Sequence, residues 1–426
     1  MINKKINRLL SLLGVALSFG IAEMPVLAND SVQATSSYST NANLIEEKNY
    51  IVNKDNSVEQ NGVKIRINRI MATKHKLKAT VLVENKKAFD EINGENVITQ
   101  LTYGENNYGS ESISYENVDK NTLKITFERN TEDEELLEKG ELRIDLVIPK
   151  YKVNVGLDAS VDFTESFKNT LEKDISVKIP NSNFTLKKVE FSNLGAEISC
   201  IEPESDIFDR DNTIASELSP MILKVGDKMY KARPSGSHSS GKLENDNLTI
   251  ASYETEAATY DRVKDQKDIS ILPVVCDITW GELQKIYKSD NENKDIKGKS
   301  LNEVTINNVT YVKSFEFSNG SKGEIYNIER TDNTIKVYCR GTSEKESLLL
   351  ASGININYHY EEGKSDNDTY YDSGNNMSFY KDQKESLGYI LEFNNVEKDK
   401  AVDLYWDTII KKIDRYKVGD EIQISK

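Results

Sequence analysis

Two segments far apart in this chain are nearly the same. KKVEFSNLGAEISCIE spans residues 187–202 and KSFEFSNGSKGEIYNIE spans residues 313–329. Lys187, Glu190, Phe191, Ser192 and Asn193 recur as Lys313, Glu316, Phe317, Ser318 and Asn319. After a turn one residue longer, Glu197-Ile198 and Ile201-Glu202 recur as Glu324-Ile325 and Ile328-Glu329. Strand side chains alternate, so Val189 and Phe191 share one face, as do Phe315 and Phe317. Asn319-Gly320 is a reversal signal, because both residues tolerate positive φ. Each copy therefore predicts a strand, a tight turn and a strand. The two isoleucines after the turn stand three apart, which predicts a β-bulge.

Glu190 and Glu316 are 126 residues apart. That is the spacing of a domain, not of a short solenoid repeat. A looser third copy, VKIRINRIMATKHKLKATVLVE at residues 63–84, puts Val63, Ile65 and Ile67 on one face. Its second strand aligns Leu77, Ala79, Val81 and Val83. Residues 29–48 lack apolar periodicity and read as a flexible linker. The remainder divides into three β-sandwich domains, 49–174, 175–302 and 303–426. Further short strands support this all-β reading: 121–127, 141–149, 269–278, 333–339, 353–360 and 387–393. Pro273 within one of them marks an edge or a bulge. Helix is expected only in short connectors. TEDEELLEKG (131–140) carries a Thr131/Glu134 capping box, and TWGELQKIY (279–287) a Thr279/Glu282 box. DTIIKKIDRY (407–416) is ambiguous and reads better as strand, followed by a turn and a final strand.

The N-terminus has the pattern of an export signal. Lys4, Lys5 and Arg8 precede an uncharged run, Leu9 to Ala22, and Val26-Leu27-Ala28 suits a signal peptidase. Cleavage between Ala28 and Asn29 is expected; the alternative is that residues 9–22 are retained as a short membrane anchor. The chain carries a formal net charge of −15, and losing a basic leader makes the rest more acidic. Such a surface repels phosphates and anionic headgroups, so nucleic acid is not an expected partner. Cys200, Cys276 and Cys339 cannot all pair within the chain. Cys276 aligns with Leu272, Val274 and Ile278, and Cys339 with Ile335 and Val337, as small core residues do. A Cys200–Cys276 bridge stays open, because export permits it.

SVEQNGVKIRINRIMATKHKLKATVLVEN, residues 57–85, resembles the opening of an uncharacterised extracytoplasmic domain of Gram-positive spore-forming bacteria. The C-terminal third, with FEFSNGSKGEIYNIE and DRYKVGDEIQISK, resembles a companion immunoglobulin-like domain. The resemblance implies tandem immunoglobulin-like β-sandwiches on the outer side of a membrane. Some members of that family look like membrane-bound anti-sigma factors, which need a cytoplasmic part. Only residues 1–8 precede the apolar run here, so that role is not expected of this chain.

No catalytic, metal or cofactor signature is complete. GSHSSGKL (236–243) has the Gly236, Gly241 and Lys242 spacing of a phosphate loop, but Leu243 stands where magnesium binding needs Ser or Thr. It reads as a Ser-rich surface loop, and His238 within it as a solvated side chain. SDNDTYYDSGNN (365–376) gathers Asp366, Asp368 and Asp372 without the glycine and glutamate of an EF-hand. FDRDN (208–212) and SDNENKD (289–295) are similarly acidic turns. Eleven of the 21 tyrosines lie in residues 304–426. Exposed tyrosines beside Asn and Asp stack on sugars or anchor a protein, so Tyr370 and Tyr371, with those three aspartates, are the expected contact surface. The expected function is a non-catalytic binding or sensing protein of the bacterial surface, whose partner is a protein or a glycan. The alternatives are a secreted glycan-acting hydrolase and a passive wall spacer. No cofactor is expected.

Overall fold

The computed structural model describes residues 50–51, 57–87, 97–104, 110–119, 121–131, 135–180, 182–203, 211–215, 219–239, 248–292, 303–359, 368–370, 377–394, 396, 398, 401–406 and 408–425. The leader, with Ala28 and Asn29, and the linker lie outside the described residues. The protein is all-β, built of sheets that are antiparallel but for one parallel pair among the described residues, Val309–Val312 with Ala401–Trp406, and a few short helices. It forms two compact units. An N-terminal unit runs to Thr170 and includes Ser192–Leu194; a C-terminal unit comprises Leu171–Phe191 and Gly195–Lys426.

The N-terminal unit contains β1 (Ser57–Gln60), β2 (Val63–Ala72), β3 (Lys76–Asn85), β4 (Ile98–Tyr103), β5 (Ser110–Asp119), β6 (Thr122–Asn130), β7 (Lys139–Ile148), β8 (Val153–Asp162) and a short helix, α1 (Thr164–Lys168). Asn61 and Gly62 take φ of 55° and 82°, the left-handed pair that a two-residue hairpin between β1 and β2 requires. Two sheets form, ordered β1-β2-β3-β6-β5 and β4-β7-β8. Leaving aside β1, these are the two sheets of a constant-type immunoglobulin sandwich. One core joins them, including Val63, Ile65, Val81, Phe127, Leu142 and Ile144. Complete burial of each such side chain contributes roughly 1.5–3 kcal/mol. A register shift between Ile67 and Arg69 reverses the alternation of β2, so that Ile70 rather than Arg69 turns inward.

Thr131 and residues 135–140, the described part of the expected helix, are not helical. Thr131 does not cap a helix: its amide and hydroxyl both bond the His75 carbonyl oxygen, at 2.7 and 3.1 Å, and Lys139-Gly140 already belong to β7.

The C-terminal unit begins with a second sandwich: β9 (Leu171–Lys178), β10 (Thr185–Ser192), β11 (Gly195–Pro203), β12 (Met221–Val225), β13 (Lys228–Ser239), β14 (Leu248–Thr255), α2 (Tyr260–Val263) and β15 (Ile269–Cys276). Its first sheet runs β9-β10-β11-β14-β13, the same order as in the N-terminal unit, and β12 pairs with β15. The helix α3 (Trp280–Glu292) then leads away. Here the capping box is present: Thr279 N–H donates to Glu282 Oε2 at 3.0 Å, and Glu282 N–H donates to Thr279 Oγ1 at 3.3 Å.

The next stretch holds β16 (Glu303–Ile306), β17 (Val309–Val312), β18 (Ser314–Glu316), β19 (Lys322–Arg330), β20 (Thr334–Arg340), α4 (Glu344–Gly353), β21 (Ile354–His359), β22 (Asp368–Tyr370), β23 (Met377–Lys381), β24 (Tyr389–Asn394), β25 (Ala401–Trp406) and α5 (Thr408–Lys411). Its two sheets run β18-β19-β20-β24-β23 and β16-β17-β25-β21-β22. The chain then returns as β26 (Tyr416–Val418) and β27 (Ile422–Ser425), which pair with β15.

This return corrects the expected three domains in series. The last strand of the second sandwich is the C-terminus, so residues 416–425 complete the domain placed at 175–302. The third sandwich is an insertion between the penultimate and final strands of the second. The two share a core in which Ile222, Val274 and Leu283 pack with Val337, Phe379 and Leu391. A backbone pairing, Met229 with Phe379, also joins β13 to β23. A reading of local strand signals assumes that each sandwich is contiguous, and cannot see such an excursion.

Pro273 is explained by the same strands. β27 pairs with β15 up to Ile271 and β26 from Val274, so the residue without an N–H falls where one strand has ended and the next begins. The expected bulge occurs in β19, between Ile325 and Asn327, and puts both Ile325 and Ile328 in the core. In β11 the pairing with β14 has no shift, and Cys200 occupies the buried position. Residues 407–416 depart from the strand reading: Ile409, Ile410 and Ile413 are buried at helical spacing, by α5 and a 3-10 turn, Ile413–Arg415.

Candidate functional site

The inserted sandwich turns one face of β18-β19-β20-β24-β23 inward, with Ile335, Val337, Cys339, Phe379, Leu391 and Phe393. Alternation sends the intervening residues outward. In register, Tyr338 lies beside Asn327 and the bulge residue Tyr326 on one side, and beside Ile390 on the other; Ile390 is next to Tyr380. The result is a half-buried row, Tyr326, Tyr338, Ile390 and Tyr380, running across the strands. Parallel rows of paired charges flank it. One contains Glu329, Lys336 and Glu392; the other contains Glu324 and Arg340.

The rings are held in place. The Tyr326 hydroxyl donates to Asp382 Oδ2 at 2.7 Å, and the Tyr380 hydroxyl to Glu392 Oε2 at 3.4 Å. Tyr326 and Tyr338 meet edge to face, with centroids 5.9 Å apart. The Arg340 guanidinium sits 5.6 Å from the Tyr326 centroid and binds Glu324 and, at 2.8 Å, Glu385. The loop after β23 is closed by Asp382 N–H to the Gly388 carbonyl at 2.9 Å. A Cβ on Gly388 would stand 2.4 Å from the Tyr326 hydroxyl, so only glycine allows this approach. Burial, reinforced by the carboxylates Asp382 and Glu329 respectively, pushes the Tyr326 and Tyr338 phenols well above their usual range. Burial also raises Tyr380. All three are neutral hydroxyls at any physiological pH.

Beneath the row, Glu346 ties the repeated hairpin to α4. Ser343 Oγ accepts from Glu346 N–H at 3.2 Å, capping the helix. The Glu346 carboxylate accepts from Ser321 Oγ at 2.6 Å, Asn319 Nδ2 at 3.0 Å, and the Thr342 amide and hydroxyl at 3.1 and 2.5 Å. Burial alone would raise its pKa, but these donors outweigh it and hold the carboxyl at about 2.

The surface expected from the sequence is only partly described. Asp368 and Tyr370 belong to β22, an edge strand whose backbone pairs with β21, His359 opposite Asp368 and Asn357 opposite Tyr370. Asp366, Tyr371 and Asp372 lie outside the described residues. Of the phosphate-loop-like stretch, Gly236–Ser239 are strand β13, paired with β14, not the expected loop; Gly241, Lys242 and Leu243 lie outside. His238 is thus a strand residue opposite Ile250. Ser289–Glu292 extend α3 instead of forming an acidic turn, and Phe208–Arg210 lie outside the described residues. Cys200, Cys276 and Cys339 are buried free thiols, with no Cys200–Cys276 bridge. Burial raises the Cys276 and Cys339 thiols, which disfavours the nucleophilic thiolate.

The N-terminal unit carries an open cleft of about 510 Å³ lined in part by Tyr50, Lys139, Asp162, Thr164 and Lys168. Lys139 and Asp162 pair across it at 2.8 Å, and that hydrogen bond, with Thr164, holds Asp162 at about 2. Among the described residues no helix is long and apolar enough to cross a membrane.

No family model matches the chain, and no curated protein matches it. Among solved structures it is similar to a conserved domain protein from Bacillus anthracis, at 16% identity and a TM-score of 0.39, over 55% of this chain and 82% of that one.

Proposed function

We propose that this is a non-catalytic, extracytoplasmic binding protein whose contact surface is the tyrosine row of the inserted sandwich. The observation that carries the reading is the register of four adjacent strands, which lines up Tyr326, Tyr338, Ile390 and Tyr380 on an outward face. Half-buried aromatic rings with fixed hydroxyls are what a contact surface needs: large area with little rotamer entropy to lose. The carboxyls of Glu128, Asp162, Glu282, Glu346 and Glu421 are all held low. A general acid at neutral pH needs the opposite shift, so these groups favour binding over hydrolysis. The export pattern at residues 1–28 supports an extracytoplasmic site of action.

The test is retention of the purified full chain on isolated Gram-positive cell envelopes. The wild type should be retained, and the double variant Tyr338→Ala, Tyr380→Ala should be released. A parallel Tyr370→Ala, Tyr371→Ala variant tells which tyrosine surface is used. If the row variant is retained as well as the wild type, or the wild type is not retained, the reading is wrong.

A further inference from the structure

We infer that the ligand of the tyrosine row is a neutral, hydroxyl-rich glycan chain lying across the strands. The inference rests on the row being the contact surface and specifies what lies on it. Three features point to this class. First, the cations of the flanking rows are already held by carboxylates. Arg340 is shared between Glu324 and Glu385, and Lys336 stands 3.9 Å from Glu392. An anionic ligand needs an uncompensated cation, and the cations of these rows are paired.

Second, the row and its rims are rich in acceptors. The Tyr326 and Tyr380 protons go to Asp382 and Glu392, which leaves the phenolic oxygens as acceptors, that of Tyr380 shared with Lys336. A carboxylate has about four acceptor sites, so these two still have capacity. Sugar hydroxyls supply the donors, whereas phosphate or uronate groups would add repulsion. Third, the spacing is that of a chain. Tyr338 and Tyr380 are separated by β24, two strand spacings or about 10 Å. Two linked pyranose rings in an extended chain have about that reach, and each ring has an apolar C–H face to set on an aromatic side chain. A peptide is less suited, because the row crosses a sheet face whose backbone groups are already paired and offers no unpaired strand edge to extend.

Titration calorimetry of the full chain against neutral gluco-, xylo-, manno- and N-acetylglucosamine oligosaccharides tests this. At least one series should bind, with affinity rising from monosaccharide to tetrasaccharide and unchanged between low and high salt. Tyr338→Ala and Tyr380→Ala should each weaken it about three- to tenfold. Tyr338→Phe should keep most of the binding, and unchanged tryptophan fluorescence shows that the variants are folded. Binding only to acidic glycans or basic peptides, abolished by high salt, overturns the ligand class; if that binding still needs Tyr338, the contact surface survives. Neutral glycans bound equally by wild type and double variant overturn the surface instead. No binding across the neutral series overturns the inference.

Discussion

Replacing Glu346 by Gln should destabilise the C-terminal unit selectively. The four donors around the carboxylate hold its pKa at about 2, against an ordinary 4.5. At about 1.36 kcal/mol per unit, the ionised carboxylate contributes roughly 3 kcal/mol to the folded state at neutral pH. The folded-state pKa is depressed, so this stabilisation is complete above pH 4.5 and is lost as the pH falls from there towards 2. Glutamine keeps the shape but loses the charge, and its amide sets N–H groups against donors already pointing at the site. The protein supplies its own probe: both tryptophans, Trp280 and Trp406, pack against the core of the inserted sandwich and its host. Urea denaturation followed by tryptophan fluorescence at neutral pH should show Glu346→Gln less stable by about 2–3 kcal/mol. Repeated at lower pH, the gap should fall to somewhat under half near pH 3, and wild type and variant should converge only towards pH 2. A loss under about 0.5 kcal/mol at neutral pH, or a gap that persists in acid, would refute the assignment of the shift to these hydrogen bonds.

Two further outcomes are expected. A thiol reagent should label none of the three cysteines in the native chain and all three in urea without reductant, since each is a buried free thiol; labelling of one alone would reveal a bridge. Removing residues 416–426 strips β26 and β27 from β15 and uncovers Ile269, Ile271 and Val274, so the tryptophan-detected transition should broaden or vanish, whereas a truncation with an unchanged midpoint would contradict the inserted topology.

Much of the fold was legible where a local rule acts alone. Alternation identified the core faces of β2, β3, β10 and β20, and the Thr279/Glu282 pair marked the start of α3. The rule failed where a tertiary partner outbid it. Thr131 looks like a cap, but the His75 carbonyl takes its hydrogen bond. Asn355 lies on the polar face of β21 by alternation, yet it is 2% exposed, because Arg233 reaches it at 2.5 Å. The helix α4 was missed, although Ser343 and Glu346 spell a capping box, because LLLAS after it has no amphipathic period: both sides are buried. The tyrosine row was visible only as an excess of tyrosine. Its members come from β19, β20 and β23, and only cross-strand register, with a bulge at Tyr326, brings them into line.

The excursion of the chain between β15 and β26 also sets a timetable. Cys276 and Tyr416 are cross-strand partners, so the insertion leaves and returns at one point. From Cys276 to Ser425 is 149 residues. A ribosome adding about 5–20 residues per second needs on the order of 7–30 s to supply them. Throughout that interval the edge of β15 has no final strand, and a bare apolar edge is a template for wrong pairing. A chain that emerges N-terminus first, from a ribosome or a translocation pore, can finish its N-terminal sandwich at once and must keep the second one open until its last residues arrive. The demand for a holding chaperone therefore falls on residues 171–276, the part of the sequence that would otherwise look ready to fold.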